Sequence, residues 1–169
     1  METIPIFPTK KEVFSLDDIE FGVKWLANGK AKDIEGYQAE IFKIGGLILI
    51  PHIHKLFNLA VKQGFLKPWT QSFIVPIFKN GDRNIPSNYR TIMISPILSK
   101  LYGIILEKKI SLWIENHGKS DKGQDGFRRY HSTMDHIVTF RMIAEEFRKT
   151  KTNLFCCFVD FRKAFDTTS

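Results

Sequence analysis

A mixed α+β fold follows from three observations on this sequence. Apolar residues recur at helical spacing near the start, a β-branched run at residues 72–78 ends in a turn signal, and residues 154–159 form a continuous apolar run. Helices come first, then a hairpin, two further helices, and a final buried strand. The 169 residues are 43% apolar, 25% charged and 13% aromatic, enough to bury a core and too rich in rings for a disordered chain. Collagen-like, low-complexity and disulfide-framework classes are excluded. No apolar run approaches the roughly 20 residues of a membrane helix. METIPIFPTKKEVF has no apolar h-region, so neither a secretory signal nor a membrane partner is expected.

Phe14-Ser15-Leu16-Asp17-Asp18-Ile19 is a helix start, with Ser15 as N-cap, Asp18 at the third helical position, and Phe14 and Ile19 as a staple. Ile19, Val23 and Leu26 then share one face, and Asn28-Gly29 stops the helix. Residues 30–36 are a polar loop. A second helical region covers about 37–65, broken near Gly45-Gly46 and again near Pro51. Residues 72–78 enter the turn Lys79-Asn80-Gly81-Asp82 as a strand, and 91–95 return as a second. Leu98, Leu101, Ile105 and Leu112 lie on one helix face, ending near His117-Gly118. Residues 119–129 are a polar loop. Ser132 caps a helix bearing Ile137, Phe140, Ala144 and Phe147. Residues 154–159 are a strand buried on both faces. There is no internal repeat and no linker rich in Pro, Gly or Ser.

Lys and Arg number 25 against 18 Asp and Glu, a net charge of +7. Residues 79–151 hold 14 basic and 8 acidic side chains, so nearly all the excess lies there. A polyanion held by that segment and a solvated basic surface both account for it. Adjacent Cys156 and Cys157 are too few for a zinc site and are expected as small core residues in a reducing compartment. His52 and His54 are expected at a surface or in helix packing. His131 and His136 lie near Arg128 and Arg129, as phosphate contacts or exposed side chains.

Asp160 ends the apolar run directly, in Phe158-Val159-Asp160-Phe161-Arg162-Lys163-Ala164-Phe165-Asp166. A carboxylate there is costly to desolvate unless a cation or donors meet it. Asp160 is a ligand candidate for a divalent metal such as Mg²⁺. Capping the next turn, or pairing with Arg162 or Lys163, satisfies it equally.

Several blocks in order resemble the reverse transcriptase of non-LTR, LINE-type retrotransposons, in a plant-like form. Leu26-Ala27-Asn28-Gly29-Lys30-Ala31, with Gly36, resembles an "NGKAPGPDG" block, although Lys32-Asp33-Ile34-Glu35 replace its Pro and Gly. Lys67-Pro68-Trp69 and Ile74-Val75-Pro76-Ile77-Phe78-Lys79-Asn80-Gly81-Asp82 resemble "W…I.PI.KKGD". Asn88-Tyr89-Arg90-Thr91-Ile92 resembles "NYRPI", with Thr91 for Pro. Gln124-Asp125-Gly126-Phe127-Arg128 and Ser132-Thr133 resemble "Q.GFR…ST", and residues 160–166 resemble "DF.KAFD".

The resemblance implies the fingers and partial palm of a right-hand polymerase. It divides the chain into a helical region 1–70, fingers 71–151 and a first palm strand 152–169. It implies that Asp160 and the Phe161 backbone carbonyl bind catalytic Mg²⁺. It also implies that Lys79 and Arg90 contact an incoming deoxynucleoside triphosphate, with Phe165 as an aromatic gate against the 2′-OH. Gln124, Arg128 and Arg129 become template-side residues. Asp166 belongs to the motif and is not expected to be a metal ligand. RNA template, DNA primer and dNTP are the implied partners, and the nucleus the implied location, although no basic localisation cluster is present.

The family's aromatic-Ala-Asp-Asp motif is absent from these residues. Asp17-Asp18 are the only adjacent aspartates, and they sit at a helix N-terminus. The expected palm sheet is therefore incomplete and residues 154–159 an exposed apolar edge prone to self-association. Thr167-Thr168-Ser169 departs from the expected "FDTV" or "FDSV", consistent with a frame change or truncated copy. Three readings follow: a polymerase segment inactive by itself, a nucleic-acid-binding remnant, and a relic reading frame.

Overall fold

A computed structural model describes residues 12–161 except 120, 122 and 129. The chain divides into two compact units, Met1–Trp113 and Ile114–Ser169. The element order is α1 (Leu16–Trp25), α2 (Ala39–Ile44), α3 (Gly46–Gln63), β1 (Phe73–Phe78), β2 (Tyr89–Ile94), α4 (Ile97–Asn116) and α5 (Thr133–Lys149), with short 3-10 turns before each strand. The two strands form an antiparallel hairpin.

In the first unit, α1 starts as its sequence dictates. Ser15 Oγ accepts the Asp18 N–H at 3.2 Å, and Asp18 Oδ2 accepts the Ser15 N–H at 2.9 Å, a reciprocal capping box. Ile19, Val23 and Leu26 are buried together. Their partners are Phe42 of α2, Ile53 and Phe57 of α3, and Ile97, Leu101 and Ile105 of α4. Gly22 lets α1 approach closely, because a Cβ there would lie 2.7 Å from both Leu101 Cδ1 and Ile105 Cγ1. A ring cluster of Phe14, Phe57, Phe65, Trp69 and Tyr102 fills the remaining space with edge-on and tilted contacts.

Two buried polar side chains tie distant segments together. Asn58 Oδ1 accepts the Val13 and Phe14 N–H groups at 2.8 and 3.1 Å, and its Nδ2 donates to the Phe14 carbonyl at 2.9 Å. His54 Nε2 lies 2.8 Å from the same carbonyl, which is the helix-packing role expected of it. Asp33 Oδ1 accepts the Glu35 and Tyr37 N–H groups, and Oδ2 accepts the Ile97 N–H at 2.9 Å. The loop at 30–36 is thus polar but anchored on a buried carboxylate.

Three expectations are corrected. The helix breaks at Gly45 but runs through Pro51, the sixth residue of α3. Proline there forfeits a single intrahelical bond, while Ile53 and Phe57 beyond it are packed into the core. Leu112 is exposed, although Leu101 and Ile105 on the same helix are fully buried. In the second unit, residues 154–161 form no strand, and Cys156 and Cys157 are exposed free thiols. Among the described residues the only sheet is the β1–β2 hairpin, so no ladder or covering layer buries them. No residue of α5 is buried, and Phe140 meets Phe158 with ring centroids 6.1 Å apart.

Cap and loop carboxylates give the stability an acid limb. Burial pushes the Asp18 carboxyl up, but the Lys109 ammonium at 2.7 Å and the Ser15 donors outweigh it and hold it below the ordinary carboxylate range. The Gly29 N–H lowers Glu40, and the Ser132 N–H lowers Asp135. Each is depressed in the folded chain, so each stabilises above the unfolded value and loses that contribution as pH falls through the folded one. The thermal midpoint should hold at neutral pH and drop below about pH 4, where unfolded carboxylates begin to protonate. Asp18→Asn should flatten the drop; a midpoint unchanged down to about pH 3 would refute this origin of the acid limb.

Candidate nucleotide and nucleic-acid interface

The first unit carries two of the sequence-predicted site residues, Lys79 and Arg90, on its hairpin. The surrounding motif residues build the loop. The Lys79 N–H donates to the Asn88 carbonyl at 2.9 Å, and Asn88 Nδ2 donates to the Asp82 carbonyl at 2.8 Å. Asp82 Oδ1 accepts the Asn84 N–H at 2.9 Å, and the Tyr89 hydroxyl donates to the Arg83 carbonyl at 2.9 Å. Gly81 is required on two grounds. Its φ is +87°, and a Cβ would lie 2.7 Å from Asn88 Nδ2.

This loop fixes where the cations lie. Ile77 stands opposite Arg90, and Phe78 opposite Tyr89. Opposed residues share a face and successive residues alternate, so Arg90 and Lys79 fall on one face. The Phe78 and Tyr89 rings meet on the other, 5.4 Å apart, with the Arg83 guanidinium 5.1 Å above Phe78. Lys79 and Arg90 are both exposed. Two cations on one side of a braced hairpin suit an anion with several phosphates.

The second unit carries Gln124, Arg128, Asp160 and Phe161. Arg128 forks onto Glu115, with Nε 3.1 Å from Oε1 and Nη2 3.2 Å from Oε2. Its Nη1 donates to the Asp121 and Gln124 carbonyls at 3.4 and 3.3 Å. Arg128 is thus occupied in holding its own loop. Gln124 Nε2 donates to the Gly126 carbonyl at 3.3 Å. Asp125 gathers both histidines: His131 Nδ1 lies 2.7 Å from Oδ1, and His136 Nδ1 3.3 Å from Oδ2. Ser132 and Asp135 then form the capping box of α5.

Asp160 and Phe161 are exposed at the end of the unpaired stretch. Among the described residues no group of three or more His, Cys, Asp or Glu side chains could hold a metal ion. Asp160 offers one carboxylate, and the described residues do not by themselves fit a metal. Arg129, Phe165 and Asp166 lie outside the described residues. Sequence reasoning missed Glu115 as the partner of Arg128. It also missed Asp33 and Asn58, because a polar residue whose partner is tens of positions away leaves no local signal.

No model of a known protein family matches the chain. Three curated relatives do. The retrovirus-related Pol polyprotein from type-1 retrotransposable element R2 of Popillia japonica is 32% identical over 102 residues, covering 60% of this chain and 14% of that protein. The probable RNA-directed DNA polymerase from transposon X-element of Drosophila melanogaster is 30% identical over 121 residues, covering 69% of this chain and 13% of that protein. The probable RNA-directed DNA polymerase from transposon BS of the same organism is 26% identical over 168 residues, 97% of this chain and 18% of that protein. The chain thus spans less than a fifth of each relative, and its similarity is to proteins of transposable elements, one named as a Pol polyprotein and two as probable RNA-directed DNA polymerases.

Proposed function

We propose that the chain is the fingers side of an RNA-directed DNA polymerase of a non-LTR element, with the first catalytic motif of its palm. The observation that carries this reading is the hairpin. Its motif residues Gly81, Asp82, Asn88 and Tyr89 build one loop, and that loop sets Lys79 and Arg90 on a common face. Those two cations receive the triphosphate of an incoming deoxynucleotide, where phosphoryl transfer depends on positioning and charge neutralisation. RNA template and DNA primer are the accompanying partners, with the nucleus as the place of action. Asp160 contributes one carboxylate, with the Phe161 carbonyl beside it, toward a Mg²⁺ clamp that no group of three or more ligating side chains among the described residues completes. By itself the chain therefore binds without polymerising.

The test is binding of a fluorescent deoxynucleoside triphosphate to the 169-residue chain. Lys79→Ala and Arg90→Ala should each weaken it by about tenfold or more, the scale of one charge-assisted hydrogen bond. Asp160→Ala should leave metal-free binding unchanged. Wild-type affinity in the Lys79→Ala/Arg90→Ala double variant would overturn the assignment.

A further inference from the structure

The chain has two cysteines, Cys156 and Cys157, and they are neighbours. Both are exposed free thiols. They lie in an apolar run that reads as a strand and forms none, and no ladder partner is found for it among the described residues. The rings that flank them are equally bare, with Phe155 89% and Phe158 86% exposed. Neither thiol takes part in the hairpin that carries Lys79 and Arg90.

Adjacency decides what two such thiols can do. Successive Cα atoms stand about 3.80 Å apart, below the roughly 4.4–6.8 Å of a relaxed disulfide, so closing the pair on itself is strained. An inserted ion removes that strain. Metal–thiolate bonds run near about 2.3 Å, so bridged sulfurs can sit up to about 4.6 Å apart, against about 2.05 Å in a disulfide. In a strand the two side chains would point to opposite faces and could not readily share one ion. No ladder imposes that alternation on residues 154–159 here. The donor set then selects the occupant. Thiolates are soft ligands that favour Cu(I), Zn²⁺ and iron–sulfur clusters. Structural zinc and iron–sulfur centres take four protein ligands. Among the described residues no group of three or more His, Cys, Asp or Glu side chains could hold a metal. Cu(I), which is satisfied by fewer thiolates, remains.

We propose that Cys156 and Cys157 form a two-thiolate site for Cu(I). Each thiol gives up its proton as its sulfur bonds the ion, and the copper stays monovalent, so no oxidant or reductant is needed. The inference goes beyond the polymerase reading and does not rest on it. The second thiolate sits on the next residue to the first, so its gain is one of effective concentration. Occupancy and an extended strand at 154–159 exclude one another, because one ion needs both sulfurs on one side. Asp160 lies three residues beyond Cys157, so bound copper holds bent the stretch that leads to that carboxylate.

The test is an oxygen-free titration of the reduced full chain with Cu(I), in competition with a coloured Cu(I) chelator. One ion should bind per chain and raise an ultraviolet thiolate-to-copper charge-transfer band, while the size-exclusion elution volume stays unchanged. Cys156→Ser and Cys157→Ser should each weaken binding by about a hundredfold or more, the gain that a second linked ligand supplies. Both thiols are exposed, so neither change should move the thermal midpoint. Wild-type affinity in either single variant would overturn the site, since one thiolate, or a Met or His side chain, would then be the ligand. One copper per two chains, with earlier elution, would overturn it as well, because the ion would join two copies. A wild-type chain that leaves all the copper on the chelator would do the same. Triphosphate binding by the copper-free chain is a separate readout, so each of these failures leaves the polymerase reading standing.

Discussion

Phe57→Ala should destabilise the first unit by about 3–5 kcal/mol, the range for deleting a buried aromatic side chain. Phe57 is fully buried, and its ring meets Phe14 at 6.0 Å, Trp69 at 5.5 Å and Tyr102 at 5.2 Å. Truncation removes the transfer free energy of the ring and leaves a cavity among other rings, which cannot collapse without losing their edge-on contacts. Total stabilities run at about 5–15 kcal/mol, so this one change consumes a large share. Phe57→Leu keeps most of the volume and should cost about half as much or less. Urea unfolding followed by tryptophan fluorescence measures both, since Trp69 is part of the cluster. A Phe57→Ala loss under about 1 kcal/mol would show that the rings do not pack as one unit.

The local signals in the sequence were sound because they depend on neighbours a few residues apart. The N-caps at Ser15 and Ser132 formed as read, and the period through Ile19, Val23 and Leu26 became the buried face of α1 and its C-cap. The hairpin was legible because Asn80-Gly81-Asp82 can only turn, and the strands flanking it are β-branched. Pro51 misled because proline is costly in a helix, yet tertiary packing on both sides carries the helix past it. Residues 154–159 misled for the opposite reason. Apolar composition states a demand for burial, but a strand also needs a ladder partner, and none is found among the described residues.

The candidate site was legible only as motifs, and the motifs mix two kinds of residue. Around the hairpin, Gly81, Asp82, Asn88 and Tyr89 make the loop, and Lys79 and Arg90 are what the loop displays. Around residue 128 the guanidinium of Arg128 meets Glu115 and two carbonyls of its own loop. Residue type favoured Arg128 as the contact, because a guanidinium suits phosphate. Its fork onto Glu115, 13 positions away, left no local signal in the sequence. The left-handed backbone at Phe127 and Tyr130 has no sequence signature, since neither residue favours it.

Asp33→Ala should cost about 2–4 kcal/mol, because one buried carboxylate holds donors from two distant segments. Asp33 is 5% exposed. Its Oδ2 accepts the Ile97 N–H, the first of α4, which has no acceptor within its own helix. A negative charge at that terminus also meets the positive end of the helix dipole. Its Oδ1 accepts the Glu35 and Tyr37 N–H groups at 3.0 and 2.8 Å and closes the loop that ends at Gly36. Alanine leaves all three donors without this acceptor, and Ile97 is itself buried, so water cannot readily replace it. Asparagine keeps one acceptor but turns an N–H toward another N–H, so Asp33→Asn should lose nearly as much. Ile97 follows β2 by three residues, so the same tether holds the end of the strand that carries Arg90. Amide hydrogen exchange should therefore show lost protection at Ile97 in Asp33→Ala, together with weaker triphosphate binding. Unchanged protection there would mean that α4 is capped by other means and that Asp33 serves its own loop alone.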